Sequence, residues 1–153
     1  MRGKGQAALE FLMTYGWAIL IVIVAIGALY ATGMLKPCKW VGTQVREFPL
    51  SEVKVEVVRL TSSELVFNVY YQKPGTATLN NVIINSATAD GTSFSADVTT
   101  KLPLSFSQTT PVTVTLTYSI SKGACVDFDL TLNITRPEGG WTIVSGKISG
   151  PAS

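Results

Sequence analysis

The chain has 153 residues, with 12 Lys and Arg against 10 Asp and Glu, and no histidine. A formal net charge of +2 provides no strong field for nucleic acid, so no nucleic-acid partner is expected. Without histidine there is no Ser-His-Asp triad, no Cys-His pair and no His-ligated metal. No enzyme activity, cofactor or metal centre is expected.

Apolar residues are concentrated at the N-terminal end. From Phe11 to Leu35 there are 25 consecutive uncharged residues, 20 of them apolar, and Trp17 to Ala31 is interrupted only by Gly27. Roughly 20 helical residues cross a ~30 Å hydrocarbon core. Helix is the form an unpaired segment takes there, because lipid offers nothing to backbone N–H and C=O groups. Tyr15 and Trp17 near one end and Tyr30 near the other fit interfacial positions. Arg2 and Lys4 hold the N-terminus in the cytoplasm, so the remainder is exported. One reading is a signal anchor carrying an external domain. Another is a secretory signal cut at Ala25-Ile26-Gly27, but its apolar run is longer than usual and it contains Glu10.

A third reading uses residues the first two leave unexplained. Arg2-Gly3-Lys4-Gly5-Gln6-Ala7-Ala8-Leu9-Glu10-Phe11 is a basic stretch ending in glycine, with a lone glutamate at the border of the apolar run. The run continues Leu12-Met13-Thr14-Tyr15-Gly16-Trp17-Ala18-Ile19-Leu20. Over residues 1–35 this resembles the class III signal peptide and N-terminal helix of archaeal type IV pilins, the adhesion-type pilus subunits. The resemblance implies a signal peptide over residues 1–5 and a transmembrane and later filament-core helix over 6–36; it says little about the rest, whose polar, Thr- and Ser-rich composition reads as a globular head over 37–153. It implies that a prepilin peptidase cuts between Gly5 and Gln6 on the cytoplasmic side. The precursor would sit in the cytoplasmic membrane with its N-terminus inside. An assembly ATPase and a membrane platform would then build identical subunits into a helical filament at the cell surface. Removing Arg2 and Lys4 would take the 12 basic side chains to 10, equal to the 10 acidic ones.

Glu10 fits that scheme physically. An ionised carboxylate in hydrocarbon costs several kcal/mol unless paired or neutralised. After cleavage Glu10 is the fifth residue, just over one helical turn from the new α-amino group on Gln6. At a helix N-terminus its charge is favoured by ~0.3–1 kcal/mol. The resemblance implies that Glu10 meets the N-terminal amine of a neighbouring subunit and sets the register of stacked stems. The plainer alternative is a solvated carboxylate at the cytoplasmic interface. A helix over 6–35 would be about 45 Å long. Gly27 with Ala31 and Ala28 with Thr32 recur at a spacing of four, which permits close helix approach.

Gly33 and Pro37 end the apolar helix, and Lys36 and Lys39 suit its C-terminus. Cys38 and Cys125 are the only cysteines. In an exported chain an intrachain disulfide is the first expectation, with an intersubunit bridge or two free thiols as alternatives.

Beyond Val53 the pattern has period two. Val53-Val55-Val57, Leu65-Phe67-Val69, Val112-Val114-Leu116 and Val126-Phe128-Leu130-Leu132-Ile134 each alternate with largely polar residues. These are half-buried strands. Shorter candidates are Val82–Ile84, Phe94–Val98, Leu102–Phe106 and Trp141–Ile148. Lys73-Pro74-Gly75, Asp90-Gly91, Lys122-Gly123 and Pro137-Glu138-Gly139-Gly140 are turn signals. The expected fold is α+β: an apolar helical stem, then an antiparallel, immunoglobulin-like β-sandwich without a helical period.

The head offers little chemistry. Asp127 with Asp129, or Asp90 with Asp97, are acids of the kind Ca²⁺ uses, but no EF-hand loop is present and outward acids are ordinarily just solvated. No carboxylate pair stands out as a glycosidase site. Asn133-Ile134-Thr135 is an N-glycosylation sequon whose Asn133 falls on the outward phase. The abundant threonine suits a solvated sheet face. A second function is a membrane-anchored module whose head binds a surface ligand. An intact Gly5–Gln6 bond would distinguish it.

Overall fold

The computed structural model describes residues 3–32 and 34–153, with side chains from Gly5 onward. Arg2, Gly33 and the Lys4 side chain lie outside the described residues. The chain divides into two compact units, Met1–Pro37 and Cys38–Ser153.

The first unit is one helix, α1 (Gly3–Ala31). Its Gly5–Ala31 portion is long and apolar enough to cross a membrane, with a mean hydropathy of 2.3. Its 29 residues span roughly 43 Å. It starts upstream of Gln6 and stops short of Lys36. The stop has a local cause. Thr32 N donates to Ala28 O at 3.0 Å, and Met34 N reaches back to Leu29 O at 3.3 Å. The Thr32 hydroxyl also donates to Leu29 O at 3.0 Å. These bonds close the last turn and satisfy carbonyls that a continuing helix would have used.

A five-residue helix, α2 (Pro37–Val41), follows. Pro37 opens it, since a first-turn proline has no intrahelical N–H to lose. So short a helix leaves no period in the sequence. Ten strands follow: β1 (Gln44–Arg46), β2 (Val53–Leu60), β3 (Glu64–Tyr71), β4 (Ala77–Ala89), β5 (Thr92–Ser93), β6 (Asp97–Val98), β7 (Leu104–Phe106), β8 (Val112–Thr117), β9 (Cys125–Thr135) and β10 (Trp141–Pro151). One sheet has the order β1-β10-β9-β4-β5, with β7 also on β4; the other has the order β2-β3-β8-β6. All pairings are antiparallel. The fold is α+β.

The two sheets share a single apolar core. Phe67 and Leu116 from one sheet and Phe128, Leu130, Leu132 and Ile134 from the other have no solvent contact. Phe94 packs edge-on and Tyr118 tilted against Phe128, with ring centroids 5.5 Å and 5.2 Å from it. The burial alternation along β9 matches the apolar alternation of its sequence, as a one-sided sheet requires. Near the other end of the chain's register, Gly146 in β10 lies beneath the Phe48 ring, where an added Cβ would overlap it. A strand glycine often marks this kind of close approach.

Four segments differ from the sequence reading, the first being Leu102–Phe106, where the strand β7 begins only after Pro103, at Leu104. Val82–Ile84 is the middle of a 13-residue strand, β4, with register breaks between Leu79 and Asn81 and between Ile84 and Ser86. Each break shifts the inward phase and hides the period. Phe94–Val98 is not one strand. The chain passes there from β5 in one sheet to β6 in the other, with Phe94 packed into the core between them. Trp141–Ile148 continues to Pro151 because its partner β9 runs on to Cys125.

Candidate functional site: the apolar stem and its N-terminal end

The stem has no buried face of its own. Four consecutive residues, Ile19, Leu20, Ile21 and Val22, are 55%, 59%, 47% and 55% exposed. Four residues cover slightly more than a full turn, so apolar side chains project in every direction. A helix hydrophobic all round needs an apolar environment supplied from outside. A Cβ added at Gly16 or Gly27 would meet nothing within 4 Å. Nothing among the described residues of the stem therefore requires these positions to be small.

At the N-terminal end the helix runs unbroken through Gly5 and Gln6 to Glu10. Between Gln6 and Ala31, Glu10 is the only Asp, Glu, Lys or Arg. It is exposed, one turn beyond Gln6 on the same helix face. Its backbone carbonyl also accepts a bond from the Thr14 hydroxyl at 2.9 Å, which ties the helix together just beyond the carboxylate. Phe11 and Tyr15, also one turn apart, stack with ring centroids 4.6 Å apart. Gly3 and Gly5 lie in the opening turns. Each costs about 1 kcal/mol relative to alanine in a helix, so the Gly5–Gln6 bond lies in weakly held opening turns.

The head carries the covalent element. Cys38 and Cys125 form a disulfide with Cα atoms 5.9 Å apart, within the usual range for such a bond. Cys125 is held on both backbone groups: its N–H donates to Asp90 Oδ1 at 3.1 Å, and its carbonyl accepts from Asp90 N at 2.8 Å. Bridges of this kind belong to oxidising compartments.

The remaining candidate residues are dispersed. Asp90 is engaged at Cys125, and Asp97 lies on β6 in the other sheet. Asp127 and Asp129 share the outer phase of β9, where Asp129 accepts a bond from Asn85 Nδ2 at 3.1 Å. Among the described residues no three His, Cys, Asp or Glu side chains gather as metal ligands. Asn133 is half-buried on the outer face of β9, opposite Ile143 of β10 and Asn81 of β4.

One cluster has no counterpart in the sequence reading. Glu52 Oε1 accepts from Lys73 Nζ at 2.9 Å and from Arg136 Nη2 at 2.6 Å. The Lys73 hydrogen bond chiefly lowers the Glu52 carboxyl below its ordinary value; partial burial opposes this and the Arg136 charge adds to it. Gln108 Nε2 donates to Gln72 O at 2.6 Å. Segments 47–52, 72–76, 107–111 and 136–140 are thereby fastened at one end of the sheets. On a separate pair of loops, the Tyr118 hydroxyl donates to Thr61 O at 2.8 Å, and burial pushes its pKa up. Neither contact has a local sequence signal, since 84 residues separate Glu52 from Arg136 and 57 separate Thr61 from Tyr118.

No family model, curated protein or solved structure matches the chain.

Proposed function

We propose that this chain is the structural subunit of an extracellular archaeal type IV pilus, used for adhesion. The observation that carries the reading is the stem: an unbroken helix with every face apolar and exposed, one carboxylate at Glu10, and a glycine-ended basic stretch before it. In this reading a prepilin peptidase cuts between Gly5 and Gln6 after the first turns unwind. The new α-amino group and Glu10 then lie one turn apart. Each Glu10 meets the amine of a neighbouring subunit, which neutralises both charges in apolar surroundings and fixes the axial register.

The membrane holds the precursor by α1 until the assembly ATPase and platform move it into the filament. Lipid tails are as apolar as the stem, so stems are drawn together by close packing rather than by escape from water. Gly16, Gly27, Ala28 and Ala31 favour such packing. The heads remain outside, where the Cys38–Cys125 bridge persists. The order β2-β3-β8-β6 against β1-β10-β9-β4-β5 supports an immunoglobulin-like head, with β2, β3, β8 and β6 as the A, B, E and D strands and β4, β9 and β10 as C, F and G.

The test is peptide mass spectrometry of material sheared from the surface of the cells that make the protein. A mature N-terminus at Gln6, with α1 retained, is expected. A chain beginning at Met1, present only in the membrane fraction, would replace the pilin reading with an anchored binding module. A start at Ala28 would make it an ordinary secreted domain.

A further inference from the structure

The outer face of the β4-β9-β10 sheet carries apolar side chains around one modifiable amide. Trp141, Ile143 and Ile83 are 69%, 55% and 47% exposed. Register places them about Asn133. Ile143 is directly opposite it on β10, and Trp141 is opposite Thr135, two residues along the same face. Ile83 is opposite Thr131, the other same-face neighbour. Diagonal neighbours in an antiparallel pair stand about 7–8 Å apart, within reach of a large aromatic side chain.

The Asn133 amide is oriented unevenly. Its Oδ1 is buried without a hydrogen-bond partner. Its Nδ2 is neither sealed in that way nor bonded to another described residue. The nitrogen is therefore the less enclosed atom of the amide, and it belongs to the sequon Asn133-Ile134-Thr135.

We infer that Asn133 carries an N-linked glycan whose first sugars lie over Trp141, Ile143 and Ile83. In the transfer, Asn133 Nδ2 bonds to the anomeric carbon of an oligosaccharide carried on a lipid phosphate. The carbon–oxygen bond to that phosphate breaks, the lipid phosphate leaves with the electron pair, and Nδ2 gives up one proton. No oxidation is involved. Transfer belongs to the exported chain before folding, because Asn80 Nδ2 donates to Thr135 Oγ1 at 2.7 Å in the folded sheet, and this hydroxyl is part of the sequon. The C–H face of a pyranose suits the Trp141 ring, while its hydroxyls meet the flanking Asn81, Thr131 and Thr135. The sugar thereby covers apolar surface that would otherwise invite association. The inference holds whether the stem polymerises or only anchors.

The test has two readings on the full chain in detergent. Mass spectrometry of the peptide containing Asn133, from protein made in its own cells, is expected to show a saccharide on that residue. Acrylamide quenching is then compared between this protein and chain made in a host without N-glycosylation. Trp141→Phe samples of both forms are measured in parallel to isolate the Trp141 signal. The glycosylated form is expected to quench about twofold less at Trp141, because one of the two indole faces is covered. Unmodified Asn133 overturns the inference, as does an occupied Asn133 with equal Trp141 quenching in both forms. The occupancy measurement uses the natural sequence, so its outcome does not depend on any variant folding.

Discussion

Removing the disulfide tests how the head is held together. The bridge closes a loop with a sequence separation of 87. In the chain-entropy model such a loop removes about 15 cal/mol/K from the unfolded state, or about 4–5 kcal/mol at 25 °C. The replacement Cys38→Ser with Cys125→Ser should therefore lower the unfolding free energy by up to that amount. Unfolding entropy near the transition scales with length, so for the Cys38–Ser153 unit the midpoint should fall by roughly 15–20 °C. The assay is denaturant and thermal unfolding of the full chain in detergent, followed by near-ultraviolet circular dichroism. The denaturant slope should rise, because the unlinked unfolded chain exposes more surface. A loss below about 1 kcal/mol, with the slope unchanged, would refute loop closure as the source of the stabilisation.

On the proposed pilin reading, Glu10→Ala should leave the head folded and the chain inserted, yet impair filament growth. Loss of a charge-assisted pair of about 1.5–3 kcal/mol weakens association roughly tenfold to a hundredfold, measured as filament yield by electron microscopy; normal yield would remove the register role. Glu52→Gln should cost about 1–3 kcal/mol at neutral pH, towards the lower end because Lys73 is partly exposed. The Glu52 carboxyl is lowered in the folded state, so its contribution is complete above its ordinary value of 4.5 and disappears as pH falls through the lowered one. Wild-type and variant unfolding curves should therefore converge in acid, and a gap that stays constant with pH would contradict the ion-pair account. Gly146→Val should drive a side chain into the Phe48 ring and destabilise by about 1–3 kcal/mol. Pairing it with Phe48→Ala should cost less than the sum of the two single changes, as read by thermal unfolding; strict additivity would mean the two residues do not share that space.

What could be read from sequence was what repeats locally. The alternations Val53-Val55-Val57 and Val126 to Ile134 identify β2 and β9 because one face of each is buried and the other is wet. The apolar run identifies α1 by length alone. β4 was mostly hidden because its two register breaks interrupt the alternation around Asn80-Asn81 and Asn85-Ser86. β1 and α2 have three and five residues, too few to show a period, and they are held by what lies beside them. The pairing of Cys38 with Cys125 is the first expectation for two cysteines in an exported chain, with an intersubunit bridge or free thiols left open; the 5.9 Å approach of their Cα atoms could not be read from the chain. The Glu52, Lys73 and Arg136 cluster, like the Phe48 ring over Gly146, is created by topology and leaves no mark in local spacing. The pattern formed by Gly5, Gln6 and Glu10 can be read because it is linear, within one short stretch of chain; the roles given to it belong to the proposed function.

The disulfide also determines how the head would carry a mechanical load. A pull transmitted along the chain from the stem arrives at Cys38 and crosses the bridge directly to Cys125. Cys125 begins β9, which is hydrogen-bonded to β10 on one side and β4 on the other. Tension thus leaves α2 at its second residue and enters an internal strand, bypassing the rest of α2 and the three-residue edge strand β1. The chain between the two cysteines is locked out of the force path, a hidden contour of about 300 Å. With the bridge intact that length cannot be drawn out, so the head acts as a short, stiff link; reduction would turn the same residues into slack.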